Sequence, residues 1–171
     1  MNRIRKNNFV RNTPGSRYDP LSDDSVKTRI QRYCAYQERC SRDVETKLHE
    51  WKIPSGKISK IIKELGVNGF LDDVRYARFF VTGKFSINQW GRKKIIYEMI
   101  NKGIPRKIID TAIEEIDETK YLEVLLTLIR KKSMEIKPGK NLTIREKLIN
   151  FALGKGFEFD LILQTVNHLK L

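Results

Sequence analysis

Apolar residues along most of this chain recur at intervals of three and four, the spacing that lines them up on one side of an α-helix. Ile30, Tyr33 and Cys34 open the pattern, with Gln37 completing the set. Ser41 reads as a cap, and Val44, Leu48 and Trp51 run along the helix behind it, Trp51 filling an inter-helix contact. Ile58, Ile61, Ile62 and Leu65 form a third face, ended by Gly66 and Gly69. No segment alternates with the period of a strand, so the predicted class is all-α.

The same order of elements returns. A shift of 51 positions takes Val44, Leu48, Ile53 and Pro54 to Ile95, Met99, Ile104 and Pro105. A further shift of 53 takes Lys102-Gly103-Ile104 to Lys155-Gly156-Phe157. Apolar character survives at nearly every position, which marks an internal repeat of helical units. The opening helices of the three units are predicted at residues 26–38, 72–85 and 118–132. In the last, Leu122, Leu125, Leu126 and Ile129 make the apolar stripe. Gly103 suits the left-handed position that ends a helix, and Pro105 the first position of the next. The expected organisation is a flexible basic tail over 1–24, then three tandem three-helix repeats over 25–70, 71–117 and 118–171. Such units bury little alone and stack into an elongated, curved modular array suited to a long partner.

Charge sharpens the picture of that partner. The 171 residues carry a net charge of +13, spread over all three units. Nucleic acid, or a complex that contains it, is the natural complement. No apolar run approaches the roughly 18–20 residues needed to cross a bilayer, so the expected location is the cytoplasm, with no membrane partner. Cys34 and Cys40 form no CxxC pair, and with His49 and His168 they match no metal-ligand spacing. No metal and no cofactor are expected. The phosphate-loop, dinucleotide and nucleophile-elbow motifs are absent, so the chain reads as a binding protein rather than an enzyme.

The one arrangement that could suggest catalysis is Asp72-Asp73. Paired carboxylates hold metals in nucleases, but adjacent helical residues point about 100° apart and no further acid follows until Glu98. A helix start explains the pair better. Asp72 can accept from the amides of Val74 or Arg75, and Asp73 suits the helix dipole. Tyr76, Phe79 and Phe80 behind them are expected to face the core. The acid-free stretch from Val74 to Tyr97 carries Arg75, Arg78, Lys84, Arg92, Lys93 and Lys94 among aromatics, with Phe85 and Trp90 flanking the loop SINQWG. Basic residues with interleaved aromatics can hold single strands by phosphate contact and stacking. With no local acid to pair them, these six are candidate partner or DNA contacts, and Arg29, Arg32, Arg39 and Arg42 continue the basic surface into the first unit.

The stretches GFLDDVRYARFFVTGK and WGRKKIIYEMINKGIP resemble the middle unit of the RecX family of bacterial recombination regulators. The matching elements are Leu71-Asp72-Asp73, Arg75-Tyr76-Ala77, Gly91-Arg92-Lys93 and Lys102-Gly103-Ile104. REKLINFALGKGFEFDLI is similar to the family's closing segment, and YCAYQERCSRDVETKLHEWKI to its opening. The resemblance implies a non-enzymatic protein of tandem three-helix units. It further implies binding to the RecA filament on single-stranded DNA and restraint of recombination, DNA repair and the SOS response. DNA itself would be held weakly or through the filament, and the regulator would act as a monomer. The alternative from charge and aromatics alone is a direct nucleic-acid-binding helical-repeat protein acting without RecA.

Overall fold

The three-and-four spacing produces helices and no strand among the described residues, which in this computed structural model are 23–136 and 143–169. Three helices form the first group: α1 (Asp23–Tyr36), α2 (Ser41–Glu50) and α3 (Ser55–Val67). The second comprises α4 (Asp73–Ser86), α5 (Arg92–Asn101) and α6 (Arg106–Glu114), and the third α7 (Glu118–Glu135), α8 (Ile144–Lys155) and α9 (Phe159–His168). Within the second group α4 packs on α5 and α6; within the third α7, α8 and α9 pack on one another. Helix α1 begins inside the segment expected to be tail. The rest of that expectation, residues 1–22, lies outside the described residues.

Local chemistry starts and stops these helices. Asp72 caps α4, its Oδ1 accepting from Val74 N at 2.9 Å and Arg75 N at 3.0 Å. Such a cap contributes about 1 kcal/mol. Thr143 and Glu146 form a reciprocal capping box at the start of α8. Gly103 and Gly156 end α5 and α8 with φ of 75° and 90°, a region that side chains disfavour. Ser41 is not a cap but the first residue of α2. The N-cap is Cys40, and the acceptor for Ser41 N is Asp73 Oδ1 at 3.4 Å, supplied by the next unit. Pro105 likewise stands one place earlier than expected, as the N-cap of α6.

Two hydrophobic cores hold the array among the described residues. One is confined to the first unit, around Val26, Ile30, Leu48, Ile58 and Leu65. The other runs without a break through the second and third units, from Tyr76 and Ile95 to Tyr121, Phe157 and Val166, and takes in Cys40 from the first. Burial within the first core pushes the Cys34 thiol up to about 11.

Two expected inward residues point outward. Phe79 is 62% exposed, whereas Tyr76, Ala77, Val81 and Phe85 are buried. At 100° per residue, Phe79 lies roughly 160° from the centre of that buried stripe. The stripe of α7 also turns by one residue: Tyr121, Leu125, Leu128 and Ile129 are buried, and Leu122 is 41% exposed.

Candidate nucleic-acid interface

Acids reach three of the six cations of the acid-free stretch, from distant segments. Arg75 Nε donates to Glu38 Oε1 at 2.8 Å, and its Nη2 to the Gly69 carbonyl at 3.1 Å. Arg78 Nε donates to Glu115 Oε1 at 2.6 Å. Arg92 pairs with Glu118, and its guanidinium lies 4.0 Å from the Tyr121 ring centroid. Burial is the largest single influence on the Arg92 charge and works against it, but the hydrogen bond and charge of Glu118, with Tyr121 and Glu158, together outweigh it and raise the pKa. The expectation that these arginines lack partners is thus corrected. Folding supplies what local sequence does not, across unit boundaries for Arg75 and Arg92 and within the second unit for Arg78. Arg75 and Arg92 serve first as ties between segments, and partly exposed pairs of this kind are worth at most about 1 kcal/mol each.

The lysines behave differently. Lys84 and Lys94 place their ammonium groups 4.8 and 4.6 Å from the Trp90 ring centroid. Lys84 also lies 5.3 Å from the Phe80 ring. Lys155 joins them by donating to the Asn88 carbonyl at 3.2 Å, and Lys94 donates to the Gly154 carbonyl at 3.3 Å. Lys93 is exposed beside them. Among the described residues no carboxylate pairs with Lys84, Lys93, Lys94 or Lys155. Two ammonium groups on a half-buried indole, with Lys155 held on the neighbouring loop and no counter-charge among the described residues, can bind phosphate and offer a ring for stacking.

The cluster exists because two backbones touch. Gly91, the N-cap of α5, donates to the Lys155 carbonyl at 2.9 Å, and Lys93 N donates to the Gly156 carbonyl at 3.0 Å. A Cβ on Gly91 would lie 2.3 Å from the Gly156 backbone, so only glycine permits the approach. The Tyr121 hydroxyl accepts from Arg92 N at 2.9 Å and donates to Glu158 Oε2 at 2.7 Å. Burial raises the pKa of Tyr121 well above the usual phenol range.

The four arginines of the first unit do not join this cluster as a single patch. Arg29 lies 4.1 Å over Trp51, and Arg39 4.3 Å over Tyr33. Arg42 Nη1 donates to the Asn101 carbonyl at 2.8 Å, and Arg32 is exposed on α1. Arg39 and Lys84 do line one groove, of about 530 Å³, between the first and second units. Lys155 and Lys102 were the missed residues. Their signal was visible in the repeated Lys-Gly-apolar turn, where the lysine reaches the preceding unit: Lys102 Nζ to Asp43 Oδ1 at 2.8 Å, Lys155 to Asn88. No group of three His, Cys, Asp or Glu among the described residues could hold a metal ion, and no described helix is long and apolar enough to cross a membrane.

Comparison with known proteins places this geometry. Residues 72–113 match the family model described as RecX, second three-helix domain. The chain is similar to the regulatory protein RecX of Bacillus cytotoxicus, 29% identical over 138 residues, 81% of this chain and 51% of that protein. It is also similar to the regulatory protein RecX of Finegoldia magna, 28% identical over 77% of this chain and 65% of that protein. The match thus spans about half the length of the Bacillus relative and under two thirds of the Finegoldia one. The crystal structure of RecX from Lactobacillus salivarius superposes with a TM-score of 0.74 at 26% identity, covering 86% of this chain and 96% of that one.

Proposed function

The chain belongs to the RecX family of regulatory proteins, and from that premise we propose that it is a negative regulator of RecA. It binds the RecA filament on single-stranded DNA and thereby modulates recombination, DNA repair and the SOS response. The role is binding, without catalysis, a metal or a cofactor. The observation that carries this reading is the uncompensated lysine cluster around Trp90. Phosphate of a strand held in a filament supplies the missing counter-charge, and Trp90 and Phe80 supply rings against which a base can pack. The three-unit array presents this contact beside surfaces free to meet protein.

The same lysines would serve a nucleic-acid-binding protein that acts without RecA, and one experiment separates the two. RecA ATPase and strand exchange are followed with the chain added at stoichiometric amounts, alongside its binding to naked single strands near physiological salt. The regulator reading predicts loss of both RecA activities with weak, salt-sensitive binding to naked DNA. Tight binding to naked strands with RecA unaffected would replace it by the alternative.

A further inference from the structure

The groove between the first and second units differs in chemistry from the lysine cluster. Its floor and lip are apolar: Phe80 is half-buried, Phe79 is 62% exposed and Ile87 is 82% exposed. Two carboxylates line it, Glu38 and Asp43, and both are already engaged, by Arg75 at 2.8 Å and Lys102 at 2.8 Å. Arg39 and Lys84 line it without a carboxylate partner among the described residues. The uncommitted charge of the groove is therefore positive, next to exposed aromatic and aliphatic side chains.

We propose that this groove docks a polypeptide segment of a partner protein that carries apolar anchors for Phe79 and Ile87 and acidic residues for Arg39 and Lys84. A nucleic-acid strand fits it less well. Ile87 offers a base no stacking surface, and a phosphate backbone leaves the exposed Phe79 and Ile87 side chains uncovered, whereas an apolar anchor flanked by carboxylates covers them. The lysine cluster borders the groove and shares Lys84 and Phe80 with it, but adds an indole and two further lysines and has no acid. The contact thus adds a protein-binding surface beside the phosphate contact of the proposed function, with Lys84 common to both.

The test uses the full chain and labelled synthetic probes. One is an acidic amphipathic peptide with leucines at helical spacing among glutamates. The controls are a peptide with the same leucines among lysines, an all-glutamate peptide and a short oligothymidylate. Binding is followed by fluorescence anisotropy and by amide chemical shifts. The acidic amphipathic peptide is expected to bind saturably and shift Gln37, Phe79, Gly83 and Ile87, with the other peptides much weaker. Phe79→Ser and Ile87→Ser should each weaken it by about tenfold or more, as loss of an interface anchor does. Both residues are exposed, so the thermal midpoint should hold.

Equal binding of the lysine peptide, groove shifts only with oligothymidylate, or no effect of Phe79→Ser would each overturn the proposal. Co-sedimentation with RecA filaments is scored separately. Its absence with peptide docking intact removes the regulatory reading and leaves the groove. Its presence without peptide docking removes the groove and leaves the regulator.

Discussion

The two joints between successive units are built on the same sequence positions and hold by different physics. A shift of 51 places Cys40 on Gly91 and Ser41 on Arg92, and a shift of 53 places Gly103 on Gly156. At the second joint glycine meets glycine, and the amides of Gly91 and Lys93 donate to the carbonyls of Lys155 and Gly156 at 2.9 and 3.0 Å. Tyr121 then stacks on Phe85 and meets Phe157 at a tilt, with centroids 5.8 and 5.1 Å away, inside a core shared by both units. At the first joint Cys40 carries a side chain where Gly91 has none, and its Sγ lies 3.9 Å from the Lys102 carbonyl. Polar ties there include Arg75–Glu38, Lys102–Asp43, Arg42 to the Asn101 carbonyl, Arg75 to the Gly69 carbonyl and Ser41 N to Asp73. One missing side chain makes a weld. The same place filled makes a joint held by partly exposed charges, with a groove beside it.

Glycine substitutions should separate the joints most clearly. Gly156→Ala forces a Cβ to 2.3 Å from Lys94 Cβ at a φ of 90°, and should cost about 3 kcal/mol in urea unfolding. Gly103→Ala has open space, a Cβ there meeting Arg42 Cδ at 3.9 Å. It should cost only the left-handed strain, about 1 kcal/mol. Equal costs would abolish the distinction. Tyr121→Phe leaves Arg92 N without its acceptor and should cost about 1–2 kcal/mol by the same measurement.

Smaller effects belong to the ends and the first joint. Asp72→Ala should lower stability by about 1 kcal/mol through the lost cap. Glu38→Ala should cost no more than about 1 kcal/mol, and raised salt should shrink the difference from the wild type. The acid limb adds a check on α8, which ends at Gly156. The Thr143 amide and hydroxyl hold the Glu146 carboxyl below its ordinary range. Its contribution is present above that range and lost as pH falls through the lowered value. Glu146→Gln should flatten this part of the melting-temperature profile on acidification.

The repeat and the helix class were legible because burial imposes a period on the sequence, and Ile95, Met99 and Ile104 keep it. Asp72 was legible as a cap because capping is local: donor and acceptor lie within three residues. Phe79 and Leu122 were misplaced because a buried neighbour one or two residues away on each helix, Ala77 or Tyr121, sets which way the helix faces. That choice is made by the packing partner. The arginine pairs could not be read, since Glu38, Glu115 and Glu118 lie 26 to 37 residues from their partners. The lysine cluster was half visible. Lys84, Lys93 and Lys94 stood out as cations without local acids, but Lys155 arrives only through the Gly91–Gly156 contact.

The central claim is that the uncompensated lysines around Trp90 bring this chain to a RecA filament on single-stranded DNA. Co-sedimentation with RecA assembled on polythymidylate tests it, against RecA alone, polythymidylate alone and the combined Lys84→Gln, Lys94→Gln and Lys155→Gln variant. The account predicts stronger capture by the filament than by either component, with the triple variant bound at least about tenfold more weakly at an unchanged melting temperature. Failure of the wild-type chain to sediment with the filament, or undiminished capture of the triple variant, would contradict it.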